Sequence, residues 1–341
     1  MREAMFWAAN DSGGIICGLC RFHCHIANGK RGRCGVRENR EGVLYSLNYG
    51  LSVASHVDPI EKKPFFHVLP GSKSFSVAAM GCNFKCLHCQ NYSISQVGSK
   101  ECRIEGLPLT PQQIVDNALA AGCKSVAYTY SEPTVFFEYV YETAQLARQA
   151  GLTNLLVSNG YIAKEPLRLL APLIDAANID LKGFSADFYR KICGADLEQV
   201  LESLLCYREL GIWLEVTTLL IPEHNDDESQ LRELAAFIVT QLGEDTPWHV
   251  TGFYPTYRLT DVSATAVETL LMAQQVGFDA GLNYVYIGNT NRDGGENTFC
   301  PTCGQRAIVR RGFEVVLNRV KQGHCLHCGT VIMGVGMDHS I

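Results

Sequence analysis

The sequence predicts an α/β protein whose core is a partial, TIM-like (β/α)6 barrel, with a small cysteine-rich module before it and a zinc-ribbon-like module after it. Two observations predict this class. Between residues 71 and 290, short β-rich apolar runs alternate with helical stretches, the pattern of parallel strands buried on both faces. The 15 cysteines fall mostly into three groups, at 17–34, 82–89 and 300–328, and the outer two groups flank the alternating region. The expected division is therefore 1–70, 71–290 and 291–341.

In the first module Cys17, Cys20, Cys24 and Cys34 stand among His23 and His25. Such density marks metal ligands. A tetrahedral zinc site and a second iron–sulfur cluster both fit the spacing, with zinc slightly favoured.

Residues 74–80 read as a strand that runs into Cys82-Asn-Phe-Lys-Cys86-Leu-His-Cys89. Thiolate is the ligand that iron–sulfur clusters prefer, and three thiolates leave one iron of a four-iron cubane without a protein ligand. An open iron is a place for a substrate to coordinate. Zinc sites commonly come as two CxxC pairs, and ferredoxins supply a fourth cysteine nearby. Here the next cysteine is Cys102.

Thr110, Pro111 and Gln113 spell an N-cap, a first-turn proline and a capping-box glutamine, opening a helix over 111–121. Strands follow at 125–130, 154–158, 177–181, 213–221, 249–254 and 284–287. Helices at 135–150, 164–170, 197–210, 227–242 and 264–276 separate them. In barrels of this kind functional residues gather at the carboxyl ends of the strands. Glu132 lies beyond the second strand, Asn159 beyond the third, and Asp180 and Lys182 straddle the end of the fourth. Each has a plain structural reading. Glu132 serves as a first-turn acid before Pro133, Asn159-Gly160 as a turn, and Asp180 with Lys182 as an ion pair around the core residue Leu181. Each equally offers a polar group to a charged ligand.

At the end of the chain, Cys300-Pro-Thr-Cys303 and Cys325-Leu-His-Cys328 are paired knuckles, each followed by glycine. They predict a tetrahedral four-cysteine site for zinc or a rubredoxin-like iron, with a hairpin over 307–320 between them. A module this small needs the metal to hold together, and its role is structural or partner-docking. Arg306, Arg310, Arg311, Arg319 and Lys321 make too thin a basic patch for nucleic acid. The isolated Cys102, Cys123, Cys193 and Cys206 read as buried small hydrophobes.

The 29 basic residues against 35 acidic ones, net −6, ask for neither nucleic acid nor an anionic membrane as partner. The first residues lack a long apolar core, and no run of about eighteen apolar residues spans a bilayer. In a reducing cytosol so many cysteines read as metal ligands or buried thiols. The expectation is a soluble, cytoplasmic metalloprotein with no membrane partner.

The run at Cys82, Cys86 and Cys89 resembles the CxxxCxxC motif of the radical S-adenosylmethionine (radical SAM) superfamily. That resemblance implies a [4Fe-4S] cluster whose open iron is chelated by S-adenosylmethionine, and reductive cleavage to a 5′-deoxyadenosyl radical that abstracts hydrogen. Ser131-Glu132-Pro133 looks like the superfamily's motif for the cofactor's amino group. Asp180-Leu181-Lys182 looks like the DxK run of the pyruvate formate-lyase activating enzyme group, and Asn159-Gly160 like a turn of the same group. The resemblance thus implies cofactor binding by Glu132, Asn159, Asp180 and Lys182. Asp58-Pro-Ile-Glu-Lys-Lys-Pro64, Leu69-Pro-Gly-Ser72, Gly81-Cys82-Asn83, Cys89-Gln-Asn91, residues 128–134 and Tyr286-Ile-Gly-Asn289 resemble the AmmeMemoRadiSam system radical SAM enzymes. That likeness implies partner proteins of the Memo and AMMECR types and an electron donor such as flavodoxin or ferredoxin. It leaves the substrate open.

Three departures stand out. His88 occupies the often aromatic position before the third cysteine, Tyr254 stands where relatives often carry histidine, and the eight-cysteine insertion of many glycyl-radical activators is missing. The alternative is a non-catalytic iron–sulfur or zinc protein serving redox or scaffold roles.

Overall fold

The computed structural model describes residues 1–10, 14–97, 103–290 and 294–339; Cys102 lies outside them. Its centre is an eight-stranded sheet of β1 Ala54–Pro59, β2 Lys73–Ala78, β3 Ser125–Tyr128, β4 Thr153–Ser158, β5 Ala176–Asp180, β6 Trp213–Leu220, β7 Trp248–Gly252 and β8 Val285–Gly288. The strands lie side by side in chain order. β2 to β8 are parallel, and β1 turns back along β2 in antiparallel register. Between the parallel strands run α1 Pro111–Ala120, α2 Phe137–Gln149, α3 Lys164–Leu170, α4 Leu197–Glu209, α5 Glu228–Phe237 and α6 Val267–Asp279. Each crossover returns to the neighbouring strand, the local connection that βα repeats favour. β1 and β8 are the two edges and do not pair with one another, so the sheet is open.

Local chemistry explains the elements. Val126, Ala127, Ile179, Val216 and Val250 are fully buried, as strands covered on both faces require. The Thr110 hydroxyl accepts from the Gln113 amide at 3.2 Å while the Gln113 side chain accepts from the Thr110 amide at 2.8 Å, completing the expected capping box. Asp196 and Asp227 cap α4 and α5. The helix expected over 135–150 begins two residues late. A 3-10 turn, Pro133–Phe136, comes first because the Glu132 side chain accepts the Thr134 amide. The helix expected over 264–276 is shifted to 267–279; its buried face is Leu270, Ala273 and Val276, and Gly281 in a left-handed conformation (φ 104°) lies just past its end.

Several short helical segments escape sequence reading, among them one that supports the cysteine loop. Residues 186–193 form a short helix that ends at Gly194 (φ 68°). Its carbonyls support the cysteine loop after β2, since the Lys85 and Leu87 amides donate to Cys193 and Ile192, both at 2.9 Å.

In the first module residues 2–46 form two small antiparallel sheets while Ala54–Pro59 belongs to the central sheet, and Ile15, Leu19 and Ile26 share one hydrophobic core with that sheet. The closing module is a hairpin of β9 Arg306–Arg311 and β10 Glu314–Asn318, as the alternation over 307–320 predicts. A third strand, Thr298–Phe299, joins it. At the amino ends of the strands, residues 65–72 form a plug. The Phe66 and His67 amides donate to Glu215, near the start of β6. Arg310 of β9 reaches this plug, donating to the Phe66 carbonyl at 2.7 Å and to Glu61 at 3.4 Å. No helix among the described residues is long and apolar enough to cross a membrane.

Candidate active site

The loop after β2 starts at Gly81, whose φ of 112° is open to glycine. A Cβ there would sit 2.7 Å from Val36, so the chain passes too close for any side chain. Beyond it Cys82, Cys86 and Cys89 line a cavity of about 340 Å³, within the range of small-ligand sites, roughly 300–1,000 Å³. Glu132, Asn159, Asp180 and Lys182 line the same cavity. The strand ends thus bring together the residues singled out from sequence. Tyr254 does not line it and is half exposed.

The Glu132 carboxylate is buried and saturated with donors on one side. Its Oε1 accepts from the Thr134 amide (3.0 Å), the Thr134 hydroxyl (2.6 Å) and the Ser158 hydroxyl (2.7 Å). Among the described residues its Oε2 accepts only from the Asn159 amide, at 2.9 Å. Burial outweighs those donors and raises its pKa above the ordinary carboxylate value. Oε2 keeps acceptor capacity toward the cavity's contents. The Asn159 carboxamide donates to Asn83 Oδ1 at 2.8 Å and approaches Cys82 Sγ at 3.7 Å, tying β4 to the cysteine loop. Lys182 and Asp180 pair at 2.7 Å. Although burial opposes it, the carboxylate and the thiols of Cys86 and Cys193 push the Lys182 pKa up, so it stays protonated.

Three features went unseen in the sequence. Cys193 is not isolated: its thiol is a hydrogen-bonding neighbour of Cys86, and that contact, followed by burial, raises the Cys86 pKa. Only folding brings together two cysteines more than a hundred positions apart. Second, Lys63 is buried against the Tyr130 ring at 4.0 Å and pairs with Asp58 at 2.8 Å, while Tyr130 also hydrogen-bonds Asp58. Tyr130 adopts φ 66°, a conformation costly for a side chain of this kind, and the Asp58–Lys63 pair holds it. The Asp58-to-Pro64 run was visible, but its function as a brace beside the cavity was not. Third, the His88 ring is buried against Phe188 and its Nδ1 has no partner among the described residues. Burial, then the nearby Lys182 charge, lowers its pKa to about 3, so the ring is neutral.

Metal geometry separates the cysteine groups. Among the described residues only Cys300, Cys303, Cys325 and Cys328 bring all their ligand atoms within 4.8 Å of one another. Sulfurs at 3.5 Å (Cys300–Cys328) and 3.9 Å (Cys303–Cys325) match the spacing of about 3.8 Å implied by tetrahedral Zn–S bonds of about 2.3 Å. Cys82, Cys86 and Cys89 share a cavity without such convergence. They fit a group that holds its thiolates apart, as a four-iron cubane does. Cys123 and Cys206 are buried.

Residues 77–235 match the sequence model of the Radical SAM superfamily. The chain is 46% identical over 334 residues to an uncharacterized protein of Methanocaldococcus jannaschii, covering 97% of this chain and 99% of that one. It is 28% identical over 161 residues to the GTP 3′,8-cyclase of Lactiplantibacillus plantarum, covering 43% of this chain and 45% of that protein. Among solved structures it is similar to a radical SAM methyltransferase from Sphaerobacter thermophilus, with a TM-score of 0.51, 15% identity, and 69% and 70% of the two chains covered. That likeness is one of fold.

Proposed function

We propose that this chain, which belongs to the radical SAM superfamily, holds a [4Fe-4S] cluster through Cys82, Cys86 and Cys89 and abstracts hydrogen from a protein or small-molecule substrate admitted to the same cavity. Superfamily membership supports S-adenosylmethionine-cleaving radical chemistry. The observation that carries the finer reading is the convergence of three thiols and four polar strand-end residues on one cavity. When bound and reduced, the cluster supplies the single electron that splits S-adenosylmethionine into methionine and a 5′-deoxyadenosyl radical.

The chain's own residues bind and orient. Glu132 presents Oε2 to the cofactor's ammonium, and the donors on Oε1 stop the carboxylate from rotating. Lys182 stays charged beside Asp180 and offers the cavity a cation for the cofactor's carboxylate. Asn159 anchors the cysteine loop through Asn83. His88 lays a neutral ring on the cavity wall, where an adenine can stack.

The barrel geometry, the pyruvate formate-lyase activating enzyme-like type, zinc in the ribbon and Memo-type and AMMECR-type partners belong to this proposal as well. They rest on the sequence resemblances and, for zinc, on the ribbon's sulfur spacing. The test is anaerobic reconstitution with iron and sulfide, reduction, and assay for 5′-deoxyadenosine. Product that disappears in Cys86→Ala supports the proposal; no product from the native chain, or undiminished product from the variant, overturns it in favour of a non-catalytic redox protein.

A further inference from the structure

The four cysteines of the first module line one enclosed, apolar pocket together with Arg37 and Asn83. Unlike the ribbon thiols, no three of them bring their sulfurs within 4.8 Å of one another. A single zinc ion needs sulfurs about 3.8 Å apart, and the ribbon of this same chain shows that spacing. Thiols that face a common pocket at wider spacing are arranged for a group with iron and sulfide between them.

The surroundings favour such a group. Cys17, Cys20 and Cys34 are buried, and Arg37 Nη1 approaches Cys17 Sγ at 3.7 Å. Four protein thiolates close the coordination, leaving no open iron for a substrate.

The pocket also adjoins the active-site loop. A Cβ on Gly81 would lie 3.2 Å from the Cys34 carbonyl, and Cys82 is the next residue. Arg33 Nε donates to the Asn83 carbonyl at 3.1 Å. Asn83 itself lines the first-module pocket and accepts from Asn159 beside Cys82.

We propose that Cys17, Cys20, Cys24 and Cys34 bind a second, fully protein-ligated [4Fe-4S] cluster that relays single electrons to the site at Cys82, Cys86 and Cys89. A reduced flavodoxin- or ferredoxin-class protein loses one electron, the second cluster gains it and passes it on, and no atom is transferred. The relay role rests on the function proposed above; the cluster site does not.

The site is tested on the reconstituted full chain by acid-labile sulfide, which mononuclear zinc and iron sites lack. The native chain is expected to hold about eight sulfides, four per cubane, and to show two reduced-state electron paramagnetic resonance signals, only one shifted by S-adenosylmethionine. About four sulfides and a single signal in the native chain overturn the site without any variant. Cys82→Ala/Cys86→Ala/Cys89→Ala should keep about four sulfides; loss of all sulfide with a second zinc equivalent would identify a zinc site instead. The relay is tested with Cys20→Ser/Cys24→Ser. Formation of 5′-deoxyadenosine should persist with titanium(III) citrate and be lost with reduced flavodoxin; equal loss or retention with both reductants overturns it. A native chain with about eight sulfides and no 5′-deoxyadenosine keeps the second cluster and discards the function.

Discussion

Glu132 caps the 3-10 turn through Oε1 and, in the function proposed above, offers Oε2 to the cofactor, so its two oxygens divide the work. In Glu132→Gln an amide nitrogen replaces one oxygen, so at least one of the four donors around it meets another donor. The expected cost is about 1–3 kcal/mol of stability, as for an unsatisfied buried group, together with weaker S-adenosylmethionine binding; chemical melts and isothermal titration read the two separately. His88→Ala removes a neutral ring from the cavity wall. Its affinity for S-adenosylmethionine should fall roughly tenfold, the equivalent of one lost stacking contact, while labile sulfide stays unchanged; undiminished affinity would exclude His88 from the cofactor's surroundings. At this scale sequence reading was uneven. Spacing alone marked Cys82, Cys86 and Cys89, because metal ligation imposes local geometry on a short loop. It could not show that Cys193 lies against Cys86 or that Asp58 and Lys63 brace Tyr130, since nothing local to those residues records a distant partner.

The order of strands and helices from β2 to β8 was legible, with ends displaced by a few residues and β1 unread, because apolar period and capping chemistry are local properties. Errors arose where side chains intervened, as at Glu132 delaying α2, or where no periodic pattern was long enough, as at 186–193. The closing hairpin is the element least able to stand alone. Its core comprises little more than Cys300, Ala307, Ile308, Val315, Val320, Cys325, Ile332 and Met337, two of them metal-ligand candidates. Chelation of the full chain should therefore release one zinc and expose the amides of β9 and β10 to rapid hydrogen exchange while β3 to β6 stay protected. Protection of β9 that survives metal loss would contradict the stapling role.

For the whole molecule, the consequential contact is the buried plug between sheet and ribbon. Arg310 donates to Thr298 at 2.9 Å, and Thr298, Tyr286 and His67 continue the chain to the Met333 carbonyl. Removing the guanidinium in Arg310→Leu leaves Glu61 buried without its ion partner. A loss of about 3–5 kcal/mol is expected from such a break, measured by urea unfolding. Burial lowers the His67 pKa to about 4, with the Arg310 and His249 charges adding to it and Glu215 opposing. Between the ordinary value of 6.5 and about 4 the unfolded chain binds the extra proton. This contribution to stability is thus fully present above pH 6.5 and is lost as pH falls through that window. In His67→Gln the unfolding midpoint should decline less steeply over the same range; an unchanged slope would show that His67 does not titrate as a buried neutral ring. By itself the sequence determined the βα order, the three cysteine groups and the residues at the strand ends, because each is written in short-range spacing. Only the tertiary structure decided which cysteines converge to zinc distance and which stand apart, and that the first module meets the Cys82 loop while the ribbon meets the opposite end. Those are distances between segments far apart in the chain, set by packing rather than by any local pattern.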